Sequence, residues 1–292
     1  MDASMTTIQD VLSRGRQLLI QAGQESARLD AQVLMEHVLD IDRATLYAYP
    51  EREVTANQEQ RFFSLIERRA QGEPIAYLIG HEEFYGLDFL VDKRVLIPRP
   101  ETELLVETAL RILRERLNMG QVLLVADIGT GSGAIPITLA VEEPRLPYLY
   151  AVDISSDALE VARLNCQRHH VEQRVRLLYG DLLAPLPDSV DVLIANLPYV
   201  GTNEMDVLEP DVVNYEPHLA LFSGPLGLDL LRRFFIDAYQ SNKLKPGGIL
   251  LLEVGYQQHD PLVRLLQEVW PHAKVEFSKD YAGWDRVLQV HT

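Results

Sequence analysis

Short runs of buried-strand residues alternate with helical stretches along the chain after Pro100. This alternation is typical of a mostly parallel sheet covered by helices on both faces, because each parallel strand needs a crossover to reach the next. The strand runs are Val122–Ala126, Tyr148–Val152, Val175–Leu178, Val190–Ala195 and Ile249–Leu252. The predicted helices are Ala134–Glu142, Asp157–His169, Leu228–Gln240 and Pro261–Val269. We therefore expect an α/β fold.

The last two strand-like runs, Lys274–Ser278 and Arg286–Val290, depart from that alternation. The turn between them, around Tyr281 to Trp284, is too short to hold a crossover helix. These strands are therefore predicted to be antiparallel neighbours. The sheet would then be mostly parallel and seven-stranded, with an antiparallel last strand.

The chain before Pro98 has a different pattern. Apolar residues at helical spacing follow Thr7, and two further helices are predicted over Arg28–Leu39 and Thr55–Ala70. From Ile75 to Leu96, aromatic and β-branched residues with interspersed glycines indicate a two-stranded hairpin. The predicted domains are an all-α region at 1–73, a β-hairpin connector at 74–97 and an α/β domain at 98–292.

Composition narrows the classes of function. The chain has 27 Lys and Arg against 43 Asp and Glu, a net charge of −16, which opposes non-specific attraction to nucleic acid. A single cysteine, Cys166, rules out an internal disulfide and a cysteine-based zinc site. We expect a cytoplasmic monomer with no membrane segment, with nucleic acid unfavoured as substrate, and we propose no metal site.

A glycine-rich turn follows the first strand of the α/β domain and leads directly into a helix. It comprises Asp127, Ile128, Gly129, Thr130, Gly131, Ser132 and Gly133. Glycines at such a turn let the backbone approach a ligand closely, and the helix start offers free N–H groups. With Ala134 the turn also fits the dinucleotide pattern G-x-G-x-x-A, so the turn alone does not separate a dinucleotide from S-adenosylmethionine.

Two later strand ends carry acidic side chains suited to a nucleoside. Asp153 ends the second strand, 26 residues after Asp127, where it could accept hydrogen bonds from ribose hydroxyls; Ile154 follows it. Asp181 follows the third strand, where it could reach an adenine amino group while Leu182 packs on the ring. We therefore predict that both strand ends contribute to the cofactor site.

The fourth strand ends in Asn196, Leu197, Pro198 and Tyr199. In an open α/β sheet this tetrapeptide should lie beside the glycine turn, because ligands bind outside the carboxyl ends of the strands. The Asn196 side chain and the Leu197 carbonyl could accept both hydrogens of an NH₂ group, and Tyr199 could stack on a planar substrate. The tetrapeptide resembles the N-P-P-Y motif of amino-methyltransferases, with Leu197 in place of the first proline, which removes one fixed φ angle from the loop.

Nearly the whole chain resembles the release factor glutamine methyltransferases, the HemK/PrmC family. The most specific matches are Glu73–Gly80, Glu83–Phe89, Val95–Glu103, Tyr215–Pro217, Ala220–Phe222 and Gly227–Asp229. The resemblance implies a Rossmann-like methyltransferase domain and a helical domain that docks the substrate. It implies that S-adenosylmethionine is bound by Gly129–Gly133, Asp153 and Leu182. It also implies that Asn196–Tyr199 hold the glutamine of the Gly-Gly-Gln tip of class-one release factors, with Arg99 and Glu101 bracing the site.

Two other classes of function remain open at this point. A ribosomal-RNA or DNA amino-methyltransferase would use the same Asn196 site but should carry a basic surface, which the charge of −16 disfavours. A dinucleotide oxidoreductase would use the glycine turn but would leave Asn196–Tyr199 unexplained.

Overall fold

The computed structural model describes residues 6–292, which form two compact units. The first unit runs to His81 and also contains Glu209–Tyr215, and the second contains Glu82–Leu208 and Glu216–Thr292. The start of the region predicted at 1–73 lies outside the described residues, since these begin at residue 6.

The first unit is built from helices. They are α1 (Ile8–Gln21), α2 (Ala27–Leu39), α3 (Arg43–Ala48), α4 (Ala56–Ala70) and α5 (Ile75–Ile79), joined by Pro210–Tyr215, which is α9 in chain order. Thr7 and Thr55 begin α1 and α4 with capping boxes, in which side chain and backbone exchange hydrogen bonds across three residues. The helices pack around a core that includes Leu34, Phe62 and Ile66.

Polar contacts attach α9 to the rest of this unit. The Arg69 guanidinium lies 2.7 Å from the buried Asp30 carboxylate and 3.8 Å from that of Asp211 on α9. The Tyr215 hydroxyl donates to the Gln71 carbonyl over 3.0 Å. A segment far along the chain thereby becomes part of the helical unit, which sequence periodicity did not reveal.

A hairpin precedes the sheet of the second unit. It consists of β1 (His81–Phe84) and β2 (Leu87–Leu90), joined by Tyr85 and Gly86 with φ of 53° and 72°. The sheet strands are β3 (Val125–Ile128), β4 (Leu149–Asp153), β5 (Val175–Tyr179), β6 (Val190–Ala195), β7 (Leu244–Glu253), β8 (Lys274–Lys279) and β9 (Asp285–His291). The remaining α-helices are α6 (Glu103–Asn118), α7 (Ala134–Glu142), α8 (Ser156–Arg168), α10 (Asp229–Gln240) and α11 (His259–Val269). Short 3₁₀ turns occupy Pro100–Thr102, Thr202–Val207 and His218–Ala220.

The sheet order places β3 at a change of direction. Within residues 6–292 the order is β5-β4-β3-β6-β7-β9-β8, with β9 antiparallel to both of its neighbours and the other pairs parallel. The chain builds outward from β3 through β4 to β5, then crosses to β6 on the other side. Such a switch point opens a crevice at the carboxyl ends of the adjacent strands.

Both faces of the sheet are buried. Along β6, Val192 and Ile194 belong to the core beneath α6 and α7, whereas Leu193 and Ala195 belong to the core beneath α10 and α11. Alternate residues of a strand point to opposite faces, so a strand covered on both sides reads as a continuous apolar run. For this reason the sequence predicted the bounds of β6, Val190–Ala195, correctly.

The fold class predicted from sequence is confirmed, including the antiparallel end of the sheet. The hairpin prediction was wrong for Ile75–Ile79, which form α5. Pro74 at the helix start and Gly80 at its end, with φ of 81°, are helix boundary signals that outweigh the β-branched composition. Among residues 6–292, no helix is both long and apolar enough to cross a bilayer.

Candidate active site

A cavity lies at the switch point of the sheet, entirely within the second unit. Parallel pairing sets Ile128 beside Val152 on one side and beside Ala195 on the other, so the loops after β3, β4 and β6 meet. The predicted site residues that line the cavity are Gly129, Thr130, Gly131, Ser132, Asp153, Ile154, Asp181, Leu182, Asn196, Leu197 and Pro198. Asp127, Gly133 and Tyr199, also predicted, do not line it in the structure.

The glycine turn bends tightly over the end of β4. The N–H groups of Gly129 and Thr130 both donate to the Val152 carbonyl over 2.9 Å. Gly129 has a φ of 76°, and a Cβ added to it would lie 2.9 Å from Cδ2 of Leu197. The glycine turn and the Asn196–Tyr199 loop therefore touch, as the sequence predicted, and glycine is required at the point of contact.

Asp153 is held by the backbone on both of its carboxylate oxygens. Oδ2 accepts from the Gly131 N–H over 2.8 Å and Oδ1 accepts from the Ser155 N–H over 2.9 Å. Burial raises the pKa of Asp153, and these N–H groups oppose that rise. Each carboxylate oxygen retains lone-pair capacity, so Asp153 can accept further hydrogen bonds from a ligand in the cavity. Ile154 beside it exposes an apolar side chain at the cavity wall.

The loop after β5 contributes one polar and one apolar wall. Asp181 forms an ion pair with Arg233 of α10, and both side chains line the cavity. Leu182 is buried with a φ of 46°, an uncommon conformation for a residue with a side chain. Backbone strain of this kind is found at ligand-binding sites, and here it turns an apolar side chain toward the cavity.

Asp127 is fully buried below the glycine turn. Among the described residues, neither of its carboxylate oxygens has a hydrogen-bond partner, and the Thr130 hydroxyl is likewise unpaired. Burial raises the pKa of Asp127 to about 7. The nearby Thr130 hydroxyl lowers this pKa, although it does not reach hydrogen-bond geometry, and the negative charge of Asp153 raises the pKa further. A buried carboxyl without a partner is costly, so this position favours a ligand that brings positive charge.

This pKa predicts a loss of stability with rising pH in the ligand-free protein. The unfolded carboxyl ionises near pH 4 and the folded one near pH 7, so between these values the folded state holds a proton that the unfolded state has released. The free energy of unfolding should therefore fall by about 4 kcal/mol over that window, of which about 3 kcal/mol lies above pH 5, and level off above pH 7. Urea unfolding at pH 5 and pH 8 measures this, and Asp127→Asn should show a smaller fall. An equal fall in parent and variant would contradict the assignment; exposed Asp157→Asn is the matched control.

The Asn196 loop is anchored by groups that sequence reasoning did not select. The Asn196 side-chain NH₂ donates to the Thr102 hydroxyl over 3.1 Å, and that hydroxyl donates to Glu253 Oε2 over 2.6 Å. The Tyr199 hydroxyl donates to Glu253 Oε1 over 3.0 Å. Tyr199 thus directs its hydroxyl at a buried carboxylate. Its predicted stacking on a substrate group stays a prediction.

The two residues expected to brace the site differ in placement. Arg99 lines the cavity and forms an ion pair with buried Glu216, which also accepts from the Ile97 N–H over 3.1 Å. Glu101 is exposed, and its neighbour Thr102 makes the inward contacts. Glu253 could have been selected from the sequence by its position. It ends β7, the strand next to β6, and ligands bind outside the carboxyl ends of parallel strands.

His169 lies at the end of α8, contacts the Asp88 carbonyl over 2.9 Å and packs against Phe89, so it stabilises the hairpin. Within the described part of the chain, no group of three or more His, Cys, Asp or Glu side chains is placed to hold a metal ion.

Two known protein domains match consecutive parts of the chain. Residues 10–80 match the PrmC N-terminal domain, and residues 103–212 match the methyltransferase small domain. The release factor glutamine methyltransferase of Koribacter versatilis is 41% identical over 97% of this chain and 97% of its own length. That of Moorella thermoacetica is 42% identical over 98% of both chains.

The chain belongs to the release factor glutamine methyltransferase family. Solved structures agree at the level of fold. The hMettl16 catalytic domain in complex with a MAT2A 3′UTR hairpin superposes with a TM-score of 0.56 at 17% identity, covering 85% of this chain and 92% of that one. The family membership and the sheet topology together make this chain a methyltransferase.

Proposed function

We propose that the protein transfers a methyl group from S-adenosylmethionine to the side-chain amide nitrogen of the glutamine in the Gly-Gly-Gln motif of class-one release factors. The observation that carries the proposal is the family membership over nearly the full chain, in both units. The cavity supports it, because one chain brings a glycine turn, an acidic strand end and the Asn196 loop together. We further propose that it acts as a monomer in the cytoplasm.

The residues around the cavity fit the proposed cofactor. The unpaired Asp127 carboxyl lies under the glycine turn and favours a cationic ligand. Asp153 offers acceptors suited to ribose hydroxyls, and Ile154 and Leu182 offer apolar surface for a base. When bound, S-adenosylmethionine would supply an electrophilic methyl group.

The Asn196 loop would hold and orient the nucleophile. Among residues 6–292, neither Asn196 Oδ1 nor the Leu197 carbonyl oxygen accepts a hydrogen bond. They are therefore available to accept the two hydrogens of a substrate NH₂ group. An amide nitrogen is a weak nucleophile because its lone pair is delocalised, so orientation and acceptors facing the developing positive charge would supply most of the catalysis.

Asp153→Ala should weaken S-adenosylmethionine binding by about 10- to 100-fold, because it removes a charged acceptor worth about 1.5–3 kcal/mol. It also frees the Gly131 N–H that shapes the glycine turn. Isothermal calorimetry on the folded variant measures the change, with exposed Asp157→Ala as the control. Unchanged affinity in Asp153→Ala would remove this residue from the site.

The experiment that tests the substrate class offers the enzyme four acceptors with labelled S-adenosylmethionine. These are an intact class-one release factor, a Gly-Gly-Gln peptide, transfer RNA and duplex DNA. The proposal expects label on the release factor and none on either nucleic acid. Label on RNA or DNA alone would indicate an amino-methyltransferase of nucleic acid instead. A parallel binding measurement with S-adenosylhomocysteine and NADH tests the cofactor, and tight NADH binding would overturn it.

A further inference from the structure

A carboxylate with no direct access to the cavity stands behind the Asn196 loop. Glu253 is 1% exposed, and its two oxygens accept from the hydroxyls of Thr102 and Tyr199. Burying a carboxylate costs several kcal/mol unless it is paired or hydrogen-bonded, so the group has to be satisfied by its surroundings. Here both of its hydrogen bonds lead into residues of the candidate site. The Glu253 side chain is therefore placed to act through them.

The direction of the hydrogen bonds follows from donor and acceptor chemistry. The Thr102 hydroxyl donates its single proton to Glu253 Oε2, as an ionised carboxylate, which can only accept, requires. The lone pairs of that hydroxyl are then what remains for Asn196. Only the NH₂ end of the Asn196 amide can donate to them, as the 3.1 Å contact has it. The amide oxygen is thereby left on the other side of the group.

We propose that Glu253 and Thr102 are positioning residues that fix which way the Asn196 amide faces, so that its oxygen is presented to the substrate nitrogen. This inference rests on the proposed function, in which Asn196 accepts from the substrate amide. We call the hydrogen-bond chain from Glu253 through Thr102 to Asn196 the relay. Without the relay, the NH₂ and oxygen ends of Asn196 would exchange places, and in part of the population an NH₂ group would face the substrate NH₂. The methyl-transfer step would then be slower.

The residues of the relay come from three parts of the second unit. Thr102 ends the 3₁₀ turn that begins α6, Glu253 ends β7, and Asn196 follows the adjacent strand β6. Thr102 and Asn196 both line the cavity, whereas Glu253 does not. Burial raises the pKa of Glu253, and the two hydroxyl donors and the positive charge of Arg286 lower it. The negative charge of Glu101 adds to the rise, so the two hydroxyl donors and Arg286 offset only part of it.

The test compares two substitutions of Thr102, one that removes the hydroxyl and one that keeps the hydroxyl but removes the methyl group. Thr102→Val keeps the shape and removes the relay, and it should lower kcat with whole release factor by about 10- to 100-fold, since small misplacements at a reacting group cost this much. KM and the Kd of S-adenosylmethionine should stay within about threefold, and Thr102→Ser should restore kcat to within about threefold of the parent. Thr138→Val, which removes another buried hydroxyl bonded only to a helix carbonyl, is the control and should match the parent.

A kcat of Thr102→Val within about threefold of the parent would overturn the proposal, and so would equal losses in the Val and Ser variants. A parent that leaves the release factor unmethylated would instead overturn the proposed function. The relay then still has its own readout in the side-chain amide protons of Asn196, observed by NMR with ¹⁵N-asparagine labelling. One of them should be protected from exchange in the parent and in Thr102→Ser, and unprotected in Thr102→Val.

Glu253→Gln gives a second, independent variant with the same shape. A carboxamide has one accepting end, so either Thr102 or Tyr199 would face a donor. If the melting temperature of Glu253→Gln equals that of the parent, kcat should fall while the Kd of S-adenosylmethionine stays unchanged. Parent-like kcat together with unchanged Asn196 exchange would contradict the relay; should Glu253→Gln fail to fold, the Thr102 pair decides alone.

Discussion

Asn196→Ala should bind S-adenosylmethionine with parent affinity and transfer the methyl group about 10²- to 10³-fold more slowly, the usual cost of removing one preorganised polar contact at a reacting group. The reason is geometric. The side chain lines the cavity, its NH₂ is engaged with Thr102, and its oxygen is free. The variant loses the orientation of the substrate amide but keeps the glycine turn and Asp153. Single-turnover transfer to whole release factor isolates the chemical step.

A matched control is Asn118→Ala, which removes an exposed asparagine at the end of α6, remote in sequence from the cavity loops. It should transfer at the parent rate. If Asn196→Ala also stayed within a few-fold of the parent, the role given to the Asn196 amide would be wrong, and with it the relay from Glu253.

A short Gly-Gly-Gln peptide should be a far poorer substrate than the intact release factor, by on the order of 10³-fold in kcat/KM, which is about 4 kcal/mol of docking energy. A three-residue tip offers little surface, whereas specific protein recognition usually buries roughly 1,200–2,000 Å² in total. We propose that the helical unit supplies the second contact area, because every residue assigned to chemistry lies in the other unit. Binding energy far from the reacting nitrogen can also be used to hold the amide in line, so kcat should fall as well as affinity.

Steady-state kinetics on peptide and whole factor measure this difference with the same enzyme and the same reacting glutamine. A peptide as good as the whole factor would remove the docking role. In that case the loops around the cavity would carry all of the recognition, and the helical unit would need another explanation.

The parts of the fold that followed from sequence were those with a strong local pattern. The buried runs of β3 to β7 and the short gap between β8 and β9 predicted a mostly parallel sheet with an antiparallel end, which is confirmed. The hairpin prediction was wrong for Ile75–Ile79 because five residues are too few to show helical periodicity. The return of Glu209–Tyr215 to the helical unit depends on contacts such as Arg69 to Asp211, which no local pattern encodes.

The sequence likewise predicted some residues of the candidate site and missed others. The glycine turn, Asp153 and Asn196 stand at strand ends, and the structure brings them to one cavity. Thr102 and Glu253 were missed because their importance comes from a hydrogen-bond chain across 151 residues of sequence. Asp127 was predicted to bind the cofactor, but it lies buried beneath the turn and would act through its charge. Those roles stay predictions until a ligand is bound.

The central claim is the identity of the methylated atom, and tandem mass spectrometry of the release factor after reaction tests it most directly. We predict a single added methyl on the side-chain nitrogen of the Gly-Gly-Gln glutamine, absent when that glutamine is replaced by glutamate. A methyl elsewhere on the factor, one that persists in the glutamate variant, or none at all, would contradict the account.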